Sequence, residues 1–147
     1  MSEKKIIIAS DHAGYELKNK LMQHFEKQGI KFTDIGCYNK ESCDYPIIAK
    51  NAAKAITEKK AEKAILVCGT GIGMAIMANR YKGIRAAVVS DTCSAKMSRS
   101  HNNANILCIG ERILGLELAK DIVETWLKTE FIGDRHTKRV VMMDEEI

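Results

Sequence analysis

Five short apolar runs alternate with segments of helical pattern, and this alternation constrains the fold more than any other feature of the chain. We predict the runs as strands at residues 5–10, 30–35, 63–68, 85–90 and 105–110. Parallel strands need crossover connections, which are usually helices and are right-handed. The pattern therefore predicts an α/β fold, a doubly wound, Rossmann-like three-layer sandwich with a five-stranded parallel sheet of order 2-1-3-4-5.

Length and composition predict one compact domain over residues 1–147. Hydrophobic residues make up 46% of the chain and charged residues 29%, which is ordinary globular composition. No apolar run approaches the roughly 20 residues that a membrane-spanning helix needs, so we expect no membrane association. Residues 133–147 are basic and then acidic, and a terminal helix with little core of its own is one interpretation of them.

Cysteine usage and charge narrow the class of protein. The five cysteines include no C-x-x-C pair, and the N-terminus does not have the pattern of a secretory leader. These features predict reduced thiols and a cytoplasmic protein. The formal net charge is +4, but the basic residues are mostly interspersed with acidic ones. This arrangement favours an anionic small molecule as partner over nucleic acid.

A reactive cysteine is predicted where the third strand ends. The run from Ile65 to Cys68 is followed by glycines at positions 69, 71 and 73, before a helical pattern resumes at Met74. A thiol beside open backbone amides and a helix N-terminus lies where negative charge on sulfur is favoured. The same amides could stabilise an oxyanion during a reaction. We therefore predict chemistry at Cys68, and a structural role for the other four cysteines.

Two other interpretations of this loop stay open from the residues alone. The loop has no Walker lysine, and its third glycine comes one position too early for G-x-G-x-x-G. Asp91, 20 residues beyond Gly71, nevertheless lies where an acid could bind a ribose, so a nucleotide-binding regulatory module is one alternative. A redox protein with Cys68 as its sensing thiol is the other.

The sheet topology predicts which motifs meet. In the order 2-1-3-4-5 the ligand crevice lies between strands one and three, so Asp11 and His12 would face the loop after Cys68. His101 precedes two asparagines at a predicted helix end, a polar cluster suited to proton transfer on a sugar. Arg135 and Arg139 would lie one turn apart if the tail is helical, and could then bind a phosphate.

Several motifs together resemble a known family over essentially the whole chain. They are Ser10-Asp11-His12-Ala13-Gly14, Asp44-Tyr45-Pro46, the segment from Cys68 to Met74, Ser100-His101-Asn102, the segment from Gly115 to Ala119, and Arg135-His136 with Arg139. In this order they resemble the ribose-5-phosphate isomerase type B family, within the wider group that includes galactose-6-phosphate and allose-6-phosphate isomerases.

The resemblance implies an enzyme that interconverts an aldose phosphate and its ketose isomer without metal or cofactor. The implied reaction is ribose 5-phosphate to ribulose 5-phosphate through an enediolate, in the pentose phosphate pathway. A six-carbon substrate, allose or galactose 6-phosphate, is the alternative within the same class. The resemblance also implies a homodimer, often paired into a tetramer, with the active site shared between subunits. The tail, about residues 130–147, would then reach the partner subunit.

Individual roles are likewise carried over from the resemblance. Cys68 is similar to the family's base, and His101 with Thr70 to the pair that opens the furanose ring. The implied anion hole consists of Gly69, Gly71, Ile72 and Gly73. Residues similar to those that bind the sugar hydroxyls are Asp11, Tyr45 and Asn102. Residues similar to the family's phosphate ligands are His12, Arg112, Arg135 and Arg139.

Overall fold

The computed structural model describes residues 5–147, so residues 1–4 of the predicted domain lie outside the described residues. Five strands alternate with helices in the predicted manner. The strands are β1 (Ile6–Ser10), β2 (Thr33–Asp34), β3 (Lys63–Cys68), β4 (Ala86–Val88) and β5 (Ile106–Gly110). The helices are α1 (Tyr15–Glu26), α2 (Tyr45–Thr57), α3 (Ile72–Ala78), α4 (Thr92–Ser100), α5 (Leu116–Lys128) and α6 (Arg135–Asp144). A short 3₁₀ turn, His12–Gly14, joins β1 to α1.

All strand pairs are parallel, but the observed order is β2-β1-β3-β5-β4. The predicted order 2-1-3-4-5 is therefore wrong for the last two strands. Every residue of β5 is buried, whereas β4 is partly exposed, with Val88 at 42%. A strand with apolar residues on both faces is stable inside a sheet, between two other strands and under helices on both faces. The fully buried β5 therefore lies inside the sheet, and the partly exposed β4 forms its edge.

Helices cover both faces of the sheet, which confirms the predicted fold class. On one face, α1 and α5 bury a stripe of large side chains that includes Leu21, Phe25, Ile122 and Trp126. On the other face, α2 and α3 pack with smaller residues, among them Ala52 and Met74. The alanines allow α2 to lie close to the sheet, whereas the aromatic residues fill a deeper layer on the opposite side.

The change in strand order does not alter the position of the crevice in which a doubly wound sheet binds ligands. The chain leaves β1 toward β2 on one side and leaves β3 toward the other side of the sheet. The switch point therefore still lies between β1 and β3, at their carboxyl ends. Ser10 pairs with Val67 in the register of these strands, so Asp11 and Cys68 each follow at the same edge.

The C-terminal segment forms a helix that packs on its own chain. The amide of Ile132 donates to the carbonyl oxygen of Ser100 at 3.0 Å, and Arg85 Nη1 lies 3.0 Å from an oxygen of Asp144. Val140 is buried on the inner side of α6. The extension of this tail toward a partner subunit stays a prediction. Within residues 5–147, no helix has the length and apolarity required to cross a membrane.

Candidate active site

A cleft of about 470 Å³ lies at the carboxyl ends of β1 and β3, within the size range of small-molecule sites. It brings together most of the predicted site residues. Its lining consists of Asp11, His12, Ala13, Tyr45, Cys68, Gly69, Thr70, Ile72, Gly73, Ile76 and Arg112. The sheet topology thus predicted correctly that the segment after β1 faces the segment after β3.

Cys68 contributes a nearly buried thiol to this cleft, with 5% of the residue exposed. The backbone N–H of Gly71 donates a hydrogen bond to its Sγ atom at 3.0 Å. An N–H dipole aimed at sulfur stabilises negative charge there. The neighbouring thiol of Cys108 lies wholly inside the sheet, and burial, with a smaller contribution from Cys68, raises its pKa far above the ordinary range. Cys108 is therefore a neutral core residue.

The glycine loop turns directly into α3. Gly71 has φ = +85°, a left-handed conformation that a side chain would strain, and it is the N-cap of the helix. Ala75 donates the hydrogen bond that reaches back to Gly71, at 3.2 Å. The N–H groups of Gly73 and Met74 therefore precede the helix's own bonding pattern. The amide of Ile72 bonds to Thr70 Oγ1 at 3.2 Å. Helix α3 begins at Ile72, two residues before the predicted start.

The opposite wall is formed by the turn after β1. Asp11 is 6% exposed, and its carboxylate accepts a hydrogen bond from the amide of Gly14 at 3.1 Å. The backbone N–H of Cys43 donates to His12 Nδ1 at 3.2 Å. Because Nδ1 accepts, the proton of the neutral ring lies on Nε2.

Tyr45 and Arg112 complete the cleft by close contact with glycines. A Cβ atom at Gly73 would collide with the ring of Tyr45, so the bare backbone there allows the ring to approach. A Cβ atom at Gly69 would lie 3.3 Å from Nη1 of Arg112. The amide of Arg112 also donates to the carbonyl oxygen of Gly69 at 3.0 Å, which fixes the backbone of Arg112 beside the loop.

Besides Gly71, which caps α3, four predicted residues do not line the cleft in the part of the chain that the structure describes. His101 ends α4, and its ring stacks on that of His136. Asn102 lines a separate cavity of about 370 Å³ beside β4. Arg135 and Arg139 lie one turn apart on α6. Some predicted site residues of one chain therefore line the cleft, whereas these four lie outside its lining.

Some features of the site were missed from the sequence. Ile76 lines the cleft one turn after Ile72, and the helical spacing of these two residues was the signal that could have revealed it. The contact between Cys43 and His12 joins residues far apart in the chain, and the sequence carries no local signal for it. The same holds for the stack of His101 on His136.

The nucleotide-binding alternative finds no support in the geometry. Asp91 is the N-cap of α4, where it accepts hydrogen bonds from the amide and the hydroxyl of Ser94 at 2.6 and 2.9 Å. These bonds lower the pKa of the Asp91 carboxyl. Asp91 thus has a capping role outside the cleft lining. Among the described residues, no cluster of His, Cys, Asp and Glu has the arrangement of a metal site.

Comparison of the sequence with known proteins shows the family to which the chain belongs. Residues 6–143 match the family model described as Ribose/Galactose Isomerase. The chain is 44% identical to ribose-5-phosphate isomerase B of Escherichia coli, over 93% of this chain and 92% of that protein. It is 42% identical to D-erythrulose-4-phosphate isomerase of Pectobacterium atrosepticum, over 92% and 90% of the two chains.

A solved structure agrees with this assignment. Ribose-5-phosphate isomerase B of Clostridium thermocellum is 48% identical and superposes with a TM-score of 0.93, over 96% of this chain and 95% of that one. Both the resemblance carried by the motifs and the expectation of an enzyme are confirmed. The chain belongs to the ribose/galactose isomerase family and is an isomerase.

Proposed function

We propose that this protein interconverts ribose 5-phosphate and ribulose 5-phosphate, as a step of the pentose phosphate pathway. The observation that carries the proposal is the thiol of Cys68 in a small-molecule cleft, beside the backbone amides that open α3. Relatives at 44% and 48% identity bear the name ribose-5-phosphate isomerase B, which supports the choice of substrate. The five free cysteines fit a cytoplasmic enzyme.

In this proposal Cys68 is the base. Its thiolate removes the proton from C2 of the open-chain aldose, and the electron pair of the broken C–H bond moves to form the C1–C2 double bond of an enediolate. The negative charge then lies on the C1 oxygen, and the backbone amides from Gly69 to Gly73 are the proposed anion hole for it. The thiol then returns its proton to C1, and the C2 hydroxyl proton passes to the C1 oxygen, which gives the ketose with its C2 carbonyl and C1 hydroxyl.

Asp11 and Tyr45, at the walls of the cleft, are the proposed ligands of the sugar hydroxyls, together with Asn102. His12 and Arg112 are the proposed phosphate ligands from the cleft itself. Proton transfer between the ring oxygen and the C1 hydroxyl, which opens the furanose, is assigned to His101 with Thr70.

The separation of the two groups of residues supports a site shared between two copies of the chain. Thr70 lines the cleft, but His101 does not, and a site formed by two copies of the chain would bring the proposed pair together. A second copy would supply the missing group: His101, Asn102, Arg135 and Arg139. Ile72 and Ile76, at the cleft, are 53% and 63% exposed, and a partner would bury them.

Mixed dimers should distinguish a shared site from a self-contained one. We expect Cys68→Ala and His101→Asn to be inactive separately. Co-expressed with different affinity tags, the purified doubly tagged dimers should recover about half of the wild-type activity, because one of the two sites in each mixed dimer is intact. Activity of doubly tagged dimers is the measurement. Purified mixed dimers without activity, from variants that fold, would contradict the shared site.

The substrate assignment is tested with a panel of sugar phosphates. We expect the highest kcat/KM for ribose 5-phosphate, with chelator present, in an assay that detects the isomeric product of each sugar phosphate. Allose 6-phosphate and galactose 6-phosphate test the six-carbon alternative. Erythrulose 4-phosphate is included because one relative bears the name of that activity. A higher kcat/KM for any of the three would replace the proposed substrate, and activity only after addition of zinc would exclude the metal-free mechanism.

A further inference from the structure

Two histidines from different helices form a stacked pair outside the cleft. His101 ends α4 and His136 is the second residue of α6, and their ring centroids lie 4.2 Å apart with an angle of 11° between the planes. His136 is only 8% exposed. The proposed function assigns a proton transfer to His101 but gives His136 no part in it.

The backbones on both sides of this pair are held by other contacts. Nη1 of Arg99 donates to the carbonyl oxygen of Ala104 at 2.7 Å and to Oδ1 of Asn103 at 3.0 Å, which fixes the turn after His101. The bond from Ile132 to Ser100 fixes the chain just before α6. The stack therefore joins two anchored segments, and the freedom that remains to the His101 side chain is rotation of its ring.

The charges around His136 favour its neutral form. Burial lowers its pKa, and so do three nearby groups that can carry positive charge: His101 from α4, and Arg135 and Arg139 from its own helix. Asp134 acts in the opposite direction, but more weakly. A neutral ring can stack on His101 whether or not His101 carries a proton, whereas two charged rings at this separation would repel each other.

We propose that His136 is a positioning residue, whose ring holds the His101 ring in the orientation needed for proton transfer to and from the sugar ring oxygen. This inference rests on the proposed function. Helix α6 would then have two functions: it carries the two candidate phosphate ligands, and it orients the proposed acid–base group. Docking of α6 and opening of the sugar ring would then be coupled.

The first arm of the test is kinetic, with ribose 5-phosphate as substrate. His136→Ala should lower kcat about tenfold with KM changed less than about twofold, because ring orientation affects the reacting complex and not phosphate binding. His136→Phe keeps an aromatic ring for the stack and should recover most of the wild-type kcat. His24→Ala, which removes a histidine on α1, is the matched control and should leave both constants unchanged.

The second arm does not depend on activity. The titration of the His136 ring, followed by NMR, should lie below the ordinary histidine range in the wild type, and should move up in His101→Asn because a positive neighbour is lost. An unchanged titration would overturn the pairing. A wild-type kcat in His136→Ala, or a His136→Phe variant as slow as a folded His136→Ala variant, would overturn the positioning role. An inactive wild type would refute the proposed function, and the titration would still decide the pairing.

Discussion

Cys68→Ala is expected to lower kcat for ribose 5-phosphate by about 10³-fold or more, while the substrate still binds. General base catalysis contributes about 10²–10⁴-fold in enzymes, and alanine leaves no group at this position that can accept the C2 proton. Cys68 as a residue is 5% exposed and its Sγ atom accepts a bond from the loop, so water cannot readily replace the thiol as the base. Binding should persist because the proposed phosphate ligands are unchanged, and thermal stabilisation by ribose 5-phosphate measures it.

Cys93→Ala is the matched control for this prediction. Cys93 is exposed near the start of α4 and does not line the cleft, so its removal should leave kcat and KM at wild-type values. A Cys68→Ala variant that keeps more than about a tenth of the wild-type kcat would remove the thiol from the mechanism, since a general base contributes far more than tenfold.

Gly110→Ala is expected to damage both stability and activity. A Cβ atom at this position, the last of β5, would lie 2.6 Å from Cα of Thr70 and 2.7 Å from the carbonyl oxygen of Gly69. These atoms are backbone, so the clash cannot be relieved by rotation of a side chain. Overpacking of this kind costs about 3 kcal/mol of unfolding free energy at the upper end of its usual range.

The expected loss of activity from Gly110→Ala follows from the same contact. The displaced atoms belong to the loop that supplies the proposed anion hole, and misplacing one such donor costs about 10²–10³-fold in kcat. Denaturant unfolding and steady-state kinetics measure the two effects. Gly115→Ala is the control, since a Cβ atom there meets open space, and its stability should stay within about 1 kcal/mol of the wild type. A fully active Gly110→Ala variant would contradict the role of the loop.

The fold was largely predictable because its signal is local. Each strand is a short apolar run, and the crossover rule then leaves few arrangements of a parallel sheet. The order of the last two strands was not predictable with the same rule, because it depends on how much cover each strand receives. In the structure Val88 of β4 is exposed, whereas every residue of β5 is buried. The two strands have similarly apolar sequences, so this difference in burial gave only a weak signal in the sequence.

The candidate site was predictable where residues directly follow a strand, as Asp11 and Cys68 do. The sheet geometry alone brings such residues together. The position of His101 could not be derived in this way, since it depends on how α6 folds back and stacks His136 against the end of α4. The role that we propose for it with Thr70 depends further on a second copy of the chain, and one chain's pattern of strands and helices contains no information about such a contact.

The removal of the C2 proton by Cys68 is tested most directly with ribose 5-phosphate that carries deuterium at C2. Incubated in ordinary water with the wild type and followed by NMR, the sugar should become ribulose 5-phosphate with the deuterium lost from C2, part of it to solvent. Folded Cys68→Ala should leave the label in place. Retention of the label at C2 with the folded wild type, or release by Cys68→Ala at the wild-type rate, would contradict the proposed mechanism.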